Sequence, residues 1–282
     1  MARRGALGLY CAAPAATRLA AFRHCRDPRP VISDPIFYLA AVVAVTFLGL
    51  AKGGFSGVGL VATPLLALAV PPVQAAAILL PILLLQDVIS VWVYRRDWDA
   101  WNLKVMLPGA VIGVGAAWLL AAHVPSSHVR LAIGLIALAF VLNRWFGEGL
   151  AAAPRRPSAF LGFICGAGSA FTSTLAHAGS PPFQIHVLPQ KLPKMTFVGT
   201  ATMFFAASNV MKIAPYFALG QLSTENLAIS AALLPLAVAT NFLGIWLVRR
   251  TPTELFYRIA YVLVFLISLE LIRAGLLAIW NG

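Results

Sequence analysis

Between residues 35 and 278 the chain is a succession of apolar stretches, each about as long as a lipid bilayer is thick: 35–52, 75–93, 103–122, 128–146, 196–217, 226–248 and 255–278. A helix of about 20 apolar residues spans the hydrocarbon core. No water is available there, so a spanning segment must satisfy its own backbone donors and acceptors, which in a single chain segment means a helix. Composition agrees: 60% of the 282 residues are hydrophobic and 11% are charged, where a soluble domain carries about a quarter. The expected fold class is an all-α polytopic membrane protein, with the lipid bilayer as its main partner.

The net charge of +12 does not point to nucleic acid. The bases do not interleave with aromatic residues along a groove-sized stretch. They cluster in short polar gaps between apolar runs, as in proteins whose loops set membrane orientation. Cys11, Cys25 and Cys165 show no metal-knuckle or disulfide spacing, and no cofactor or metal is expected. Residues 1–33 form an Arg-rich extension, expected to be disordered and cytoplasmic, or to lie upstream of a translation start at Val31. The remaining expected divisions are a first membrane repeat over 34–146, a cytoplasmic linker over 147–159 and a second repeat over 160–282.

Ser126-Ser127, Ser223-Thr224-Glu225 and Thr253-Glu254 offer helix caps and first-turn acids at three of the boundaries. Two further stretches, 54–70 and 160–188, are apolar but broken by Gly, Pro, Ser and Thr. The gaps with Arg95-Arg96 and Lys104, with Arg144, Arg155 and Arg156, with Lys191 and Lys194, and with Arg249-Arg250 should face the cytoplasm. The gaps at 71–74 and 218–225 hold no base. On this count 35–52 crosses from a cytoplasmic N-terminus, 54–70 enters and leaves on the outside, and 160–188 enters and leaves on the inside. The total is seven crossings and two re-entrant segments, against a competing count of eight plain crossings.

The two broken segments also belong to an internal repeat. Phe47-Leu48-Gly49 recurs as Phe160-Leu161-Gly162, Pro64 and Pro71 as Pro182 and Pro189, Asp87 as Asn209, and LPGAVIGVGAAWLL (107–120) as LPLAVATNFLGIWLV (234–248). Each copy is a broken segment followed by three spans, so the second copy is expected upside down. Broken helices at matching positions of inverted repeats are the best sequence pointer to a transporter site.

The polar residues within these segments are the candidates for chemistry. Lys52 is followed by Gly53, Gly54, Gly57 and Gly59, with Ser56 among them. One reading is a lysine that snorkels to the interface beside close-packing glycines. The other is an anion ligand, with glycine amides free to approach an oxyanion. Asp87 follows Gln86 inside an apolar span, where a carboxylate is costly unless paired or protonated. It is either a proton-coupling acid or a structural partner of Lys52 or Lys212, and Asn209 is its counterpart. In FTSTLAHAGSPP (171–182), Thr172, Ser173, Thr174, His177 and Ser180 are candidate donors to the oxygens of a small anion, Gly179 and the prolines hold an unwound turn, and Gln184 adds a donor. The alternative is hydroxyls bonded back to helix carbonyls. Trp92, Trp98, Trp101, Trp246 and Trp280 sit near segment ends, as interfacial anchors do.

The stretch LGLAKGGFSGVG through VYRRDW (48–98), together with FTSTLAHAGSPPFQIHVLPQ (171–190), resembles the TauE/SafE family of sulfite and organosulfonate exporters over about residues 34–278. The resemblance implies a multi-pass protein of the bacterial inner membrane. It also implies secondary transport, most simply export, of small sulfur-containing anions by alternating access. Many members carry an unbroken glycine run where this chain has Lys52, which sets it in a subgroup. An anion channel, or a membrane enzyme or scaffold without transport, stays open as an alternative, as does a homodimer.

Overall fold

The computed structural model describes residues 35–55, 58–66, 70, 72–120, 126–147, 157–218 and 223–280. The Arg-rich extension, Ser56, Gly57 and most of the 147–159 linker lie outside them. All regular structure among the described residues is helical. The helices are α1 (Pro35–Gly53), α2 (Ala62–Leu66, preceded by a 3₁₀ turn at Val58–Val61), α3 (Pro72–Tyr94), α4 (Ala100–Leu120), α5 (Ser126–Leu142), α6 (Ala159–Ala176), α7 (Ser180–Val187), α8 (Lys194–Ala218), α9 (Thr224–Arg250) and α10 (Thr253–Trp280). Each of the seven expected spans corresponds to one of these helices, with ends displaced by a few residues. Ser223 caps α9 by accepting from the Asn226 amide at 3.2 Å. The expected 128–146 span is cut short: it loses α geometry at Asn143 and ends in a π turn over Asn143–Gly147.

Five helices, α3, α4, α8, α9 and α10, are long and apolar enough to cross a membrane, while the apolar parts of α1, α5 and α6 are shorter. The expected anchors Trp92, Trp98, Trp101, Trp246 and Trp280 are all exposed. Arg95 and Arg250 lie over the rings of Trp92 and Trp246, at 5.1 and 4.5 Å from the centroids. These features belong to a multi-pass membrane protein.

Helix directions follow from the residues in contact. Gln74 bonds Asn226, Ser230 bonds the Ile78 carbonyl, and Gln86 bonds the Ala237 carbonyl, so α3 and α9 run parallel. Asp87 meets Asn209, and Gly199 abuts Asp97, so α8 runs the other way. α3 and α9 end, and α4 and α8 begin, at one end of the bundle. That end carries Arg95, Arg96, Lys194, Arg249 and Arg250 and is called the basic end below. There Lys194 donates to the carbonyls of Val248 and Thr251 at 2.8 and 2.6 Å, capping the last turn of α9.

Two close glycine seams position the broken segments. Cβ atoms on Gly49 and Gly53 would lie 2.1 Å from Thr240 and 2.4 Å from Gly244, so α1 packs parallel to α9 backbone against backbone. Gly109 and Gly113 bring α4 equally close to Phe163 and Ala167 of α6, again parallel. α1 therefore points toward the basic end and α6 away from it.

Both helices then reverse at a residue with positive φ, Gly54 (139°) after α1 and His177 (51°) after α6. Few side chains tolerate the Gly54 conformation. Beyond His177 the chain runs back along α6: Gly168 faces Pro182 and Gly162 faces His186, while Ser169 donates to the Gly179 carbonyl at 2.6 Å. Beyond Gly54 the chain likewise returns, since Gly59 packs on Ala51 and α3 begins at the far end. Here the structure differs from the sequence count. α1 and α3 both run toward the basic end, where the count had them run in opposite senses, so the chain beyond Gly54 leads back to the far end instead of entering and leaving on one side; α1 and its return form one hairpin, as α6 and α7 do. Phe47-Leu48-Gly49 sits in the last turns of α1 but Phe160-Leu161-Gly162 in the first of α6, so this pair does not occupy matching positions.

Candidate functional site

The two hairpin tips meet beside α3 and α8. Lys52, on the last turn of α1, turns inward rather than toward a membrane surface: its Nζ lies 2.5 Å from Asp87 Oδ1, and its side chain is 12% exposed. The other carboxylate oxygen accepts from Asn209 Nδ2 at 2.6 Å. Asn209 Oδ1 accepts from Lys212 Nζ at 2.9 Å, and Lys212 also donates to Ser173 Oγ at 2.7 Å. A continuous relay thus runs from one hairpin through α3 and α8 to the other: Lys52, Asp87, Asn209, Lys212, Ser173. Asp87, Asn209 and Lys212 are buried. Removing such groups from water is tolerated only when they are paired and hydrogen-bonded. With all three ionised, two lysines face a single carboxylate, and the site carries an excess of positive charge.

In front of the relay lies a cavity of about 70 Å³, room for several waters or a small ion. Its lining brings together Lys52 and Gly59 from the first hairpin, Ser173, His177, Gly179 and Ser180 from the second, and Asn209 from α8. The only hydrogen bond Lys52 Nζ makes among the described residues is to Asp87, leaving two of its N–H donors for whatever occupies the cavity.

Other expected residues fall elsewhere. Gly53 and Gly54 serve the α1 seam and the reversal: Gly53 faces Gly244, Gly54 faces Val248, and the Gly53 carbonyl accepts from Tyr94 at 2.6 Å. Thr172 Oγ1 lies within reach of the carbonyls of Gly168, Ser169 and Ala178 and donates to one of them at a time, and Thr174 donates to that of Ala170, as in the back-bonding alternative. Gln184 is buried in α7 away from the cavity lining. Gln86 donates to the Ala237 carbonyl at 3.1 Å and ties α3 to α9. Ser56 and Gly57 lie outside the described residues. The assignment makes Thr174→Val a control. Its hydroxyl is committed to its own helix, so for a cavity that takes the anion expected from the sequence, affinity in a binding titration should stay within about twofold of the parent protein.

Sequence reasoning missed five groups here. Ser90 Oγ lies 3.0 Å from the Lys52 carbonyl and 3.2 Å from Asn241 Oδ1, donating to one of them at a time, and Asn241 donates to the Gln86 carbonyl. Tyr216 donates to the Thr174 carbonyl at 3.3 Å, as Tyr94 does to Gly53. Ser90 and Asn241 were visible as polar residues in apolar spans. Phe205, which lines the cavity with Lys52 Nζ 5.9 Å from its ring centroid, was hidden among apolar neighbours.

No curated protein and no solved structure matches the chain. The model of the family described as sulfite exporter TauE/SafE matches residues 40–271. That match covers both hairpin tips, the relay and every lining residue of the cavity, and the chain belongs to the TauE/SafE sulfite exporter family.

Proposed function

We propose that the protein is a secondary transporter, working as an exporter, of a small oxyanion such as sulfite or an organosulfonate. The anion binds in the cavity between the hairpin tips. One observation carries the reading: Lys52 of one hairpin and Ser173, His177 and Ser180 of the other line a single small cavity backed by two lysines and one carboxylate. The surplus cation selects for negative charge. The hydroxyl and imidazole groups offer hydrogen bonds to oxygen, and charge-assisted bonds of this kind are worth roughly 1.5–3 kcal/mol each. An anion arriving at Lys52 competes with Asp87 for the ammonium, which gives the site a route to coupling: the displaced carboxylate takes up a proton or turns to Lys212.

The architecture in this reading is two inverted repeats, each a hairpin and three crossing helices, in the plasma (inner) membrane. Reciprocal contacts support it. α1 packs on α9 as α6 packs on α4, Asp87 meets Asn209, and Tyr94 and Tyr216 donate to carbonyls at the ends of α1 and α6 respectively. Inverted repeats with a midplane site at broken helices suit alternating access.

The test is Lys52→Gln in proteoliposomes. Sulfite or sulfonate affinity should fall about 10- to 100-fold, the loss of one charge-assisted contact, with flux falling in step. Unchanged affinity and flux would remove this cavity as the anion site.

A further inference from the structure

A second, smaller cavity of about 20 Å³ lies against the first, lined by Gly54, Val198 and Thr202 together with Ala51, Lys52 and Phe205. The last three line both cavities. The other lining residues on or next to α1, α3 and α8 sort by direction. Val198 and Thr202 precede Phe205 on α8, which starts at the basic end, and Gly54 lies just past the end of α1, which points to that end. Leu48 precedes Lys52, Leu83 precedes Asp87 on α3, and Asn209 follows Phe205, so the larger cavity lies on the opposite side. Lys52 and the Phe205 ring are thus the partition between a chamber toward the basic end and a chamber toward the other.

We propose that Phe205 is the gate of the anion path and that the smaller cavity is a second station for the same class of oxyanion, with Lys52 as the ligand common to both. The proposal rests on the transport reading above. The ring suits a gate for physical reasons. It offers an anion no hydrogen-bond donor, and its negative face repels one. The Lys52 ammonium, within cation–π reach, holds it in place. The ring packs on Phe183 and Phe204 with centroids 5.4 and 5.2 Å away, so it has an aromatic surface along which to turn. The small chamber has room for about one water, so it accepts an oxyanion only once the ring has moved. Lys52 then need not let go: its Nζ follows the anion from one chamber to the next.

The experiment reads accessibility. With Cys11, Cys25 and Cys165 replaced by alanine, Thr202→Cys and Ser180→Cys are each labelled with a membrane-impermeant methanethiosulfonate in right-side-out and inverted vesicles. Thr202→Cys should react from the basic end only, Ser180→Cys from the opposite side only, and methanesulfonate, which unlike sulfite does not cleave the reagent, should slow both. Adding Phe205→Ala should raise labelling from the far side about tenfold or more for each cysteine. Phe205→Leu, which keeps an apolar plug and guards against a folding defect, should give a smaller rise. Labelling of both cysteines from one side with Phe205 intact, or sidedness unmoved in Phe205→Ala, overturns the gate. A Thr202→Cys rate indifferent to methanesulfonate overturns the second station. Sidedness needs no substrate, so these results are separable from a Lys52→Gln protein with unaltered sulfite affinity, which overturns the transport site itself.

Discussion

Asp87→Asn should be the most destabilising conservative change in the membrane core. The asparagine keeps the shape of the carboxylate and an oxygen for Asn209 Nδ2. It removes the only negative charge in a buried relay with two lysines. Lys52 and Lys212 then repel one another with no counterion, and breaking a buried pair by removing one partner costs about 3–5 kcal/mol. For a chain of this size that corresponds to a fall in melting temperature on the order of 10 °C in detergent. The second half of the expectation separates stability from function. Lys52→Gln/Asp87→Asn removes one charge of each sign and should recover most of the lost stability, but it should not recover anion binding, because the ligand is gone. A double variant as unstable as Asp87→Asn alone would mean that the pair is not the source of the effect.

Gly53→Val should disrupt the site without touching any of its polar atoms. A Cβ at Gly53 would lie 2.4 Å from the Gly244 backbone, and backbone cannot yield as a flexible side chain does. The tip of α1 must move away from α9, carrying Lys52 from Asp87 and the Gly53 carbonyl from Tyr94. Overpacking of this kind costs about 1–3 kcal/mol, and more when the contact is rigid. The expected result is a clear loss of thermal stability and a loss of sulfite affinity at least as large as in Lys52→Gln. Gly115→Val, on α4 where a Cβ meets nothing within 4 Å, should leave both nearly unchanged. Equal effects of the two substitutions would contradict the seam.

How much of this was legible follows from what lipid demands. Helices such as α8 and α9 were readable almost to their ends because a spanning segment needs a fixed length of apolar residues and marks its limits with caps and bases. Lys52, Asp87 and His177 stood out because polar groups are rare in that setting. The sense in which α1 runs was not legible, since charge counting orients it from the Arg-rich extension that precedes it. What turns the run back is Gly54 with its positive φ and a seam between Gly53 and Gly244, far apart in sequence. Thr172 and Thr174 looked like ligands because composition does not reveal which carbonyl a hydroxyl faces. Phe205 carried no signal, since one aromatic among apolar neighbours reads as core.

The glycine seams also set what can move as a body. α1 is locked to α9 and α6 to α4, each time across the boundary between the first and second halves of the chain. Two halves divided by sequence would have to unzip both seams to rock apart. A body that keeps its seams intact holds one hairpin from one half and one helix from the other. In the two-repeat reading proposed above, the parts that move as bodies are therefore not the repeats themselves: each pairs a hairpin from one half with a helix from the other.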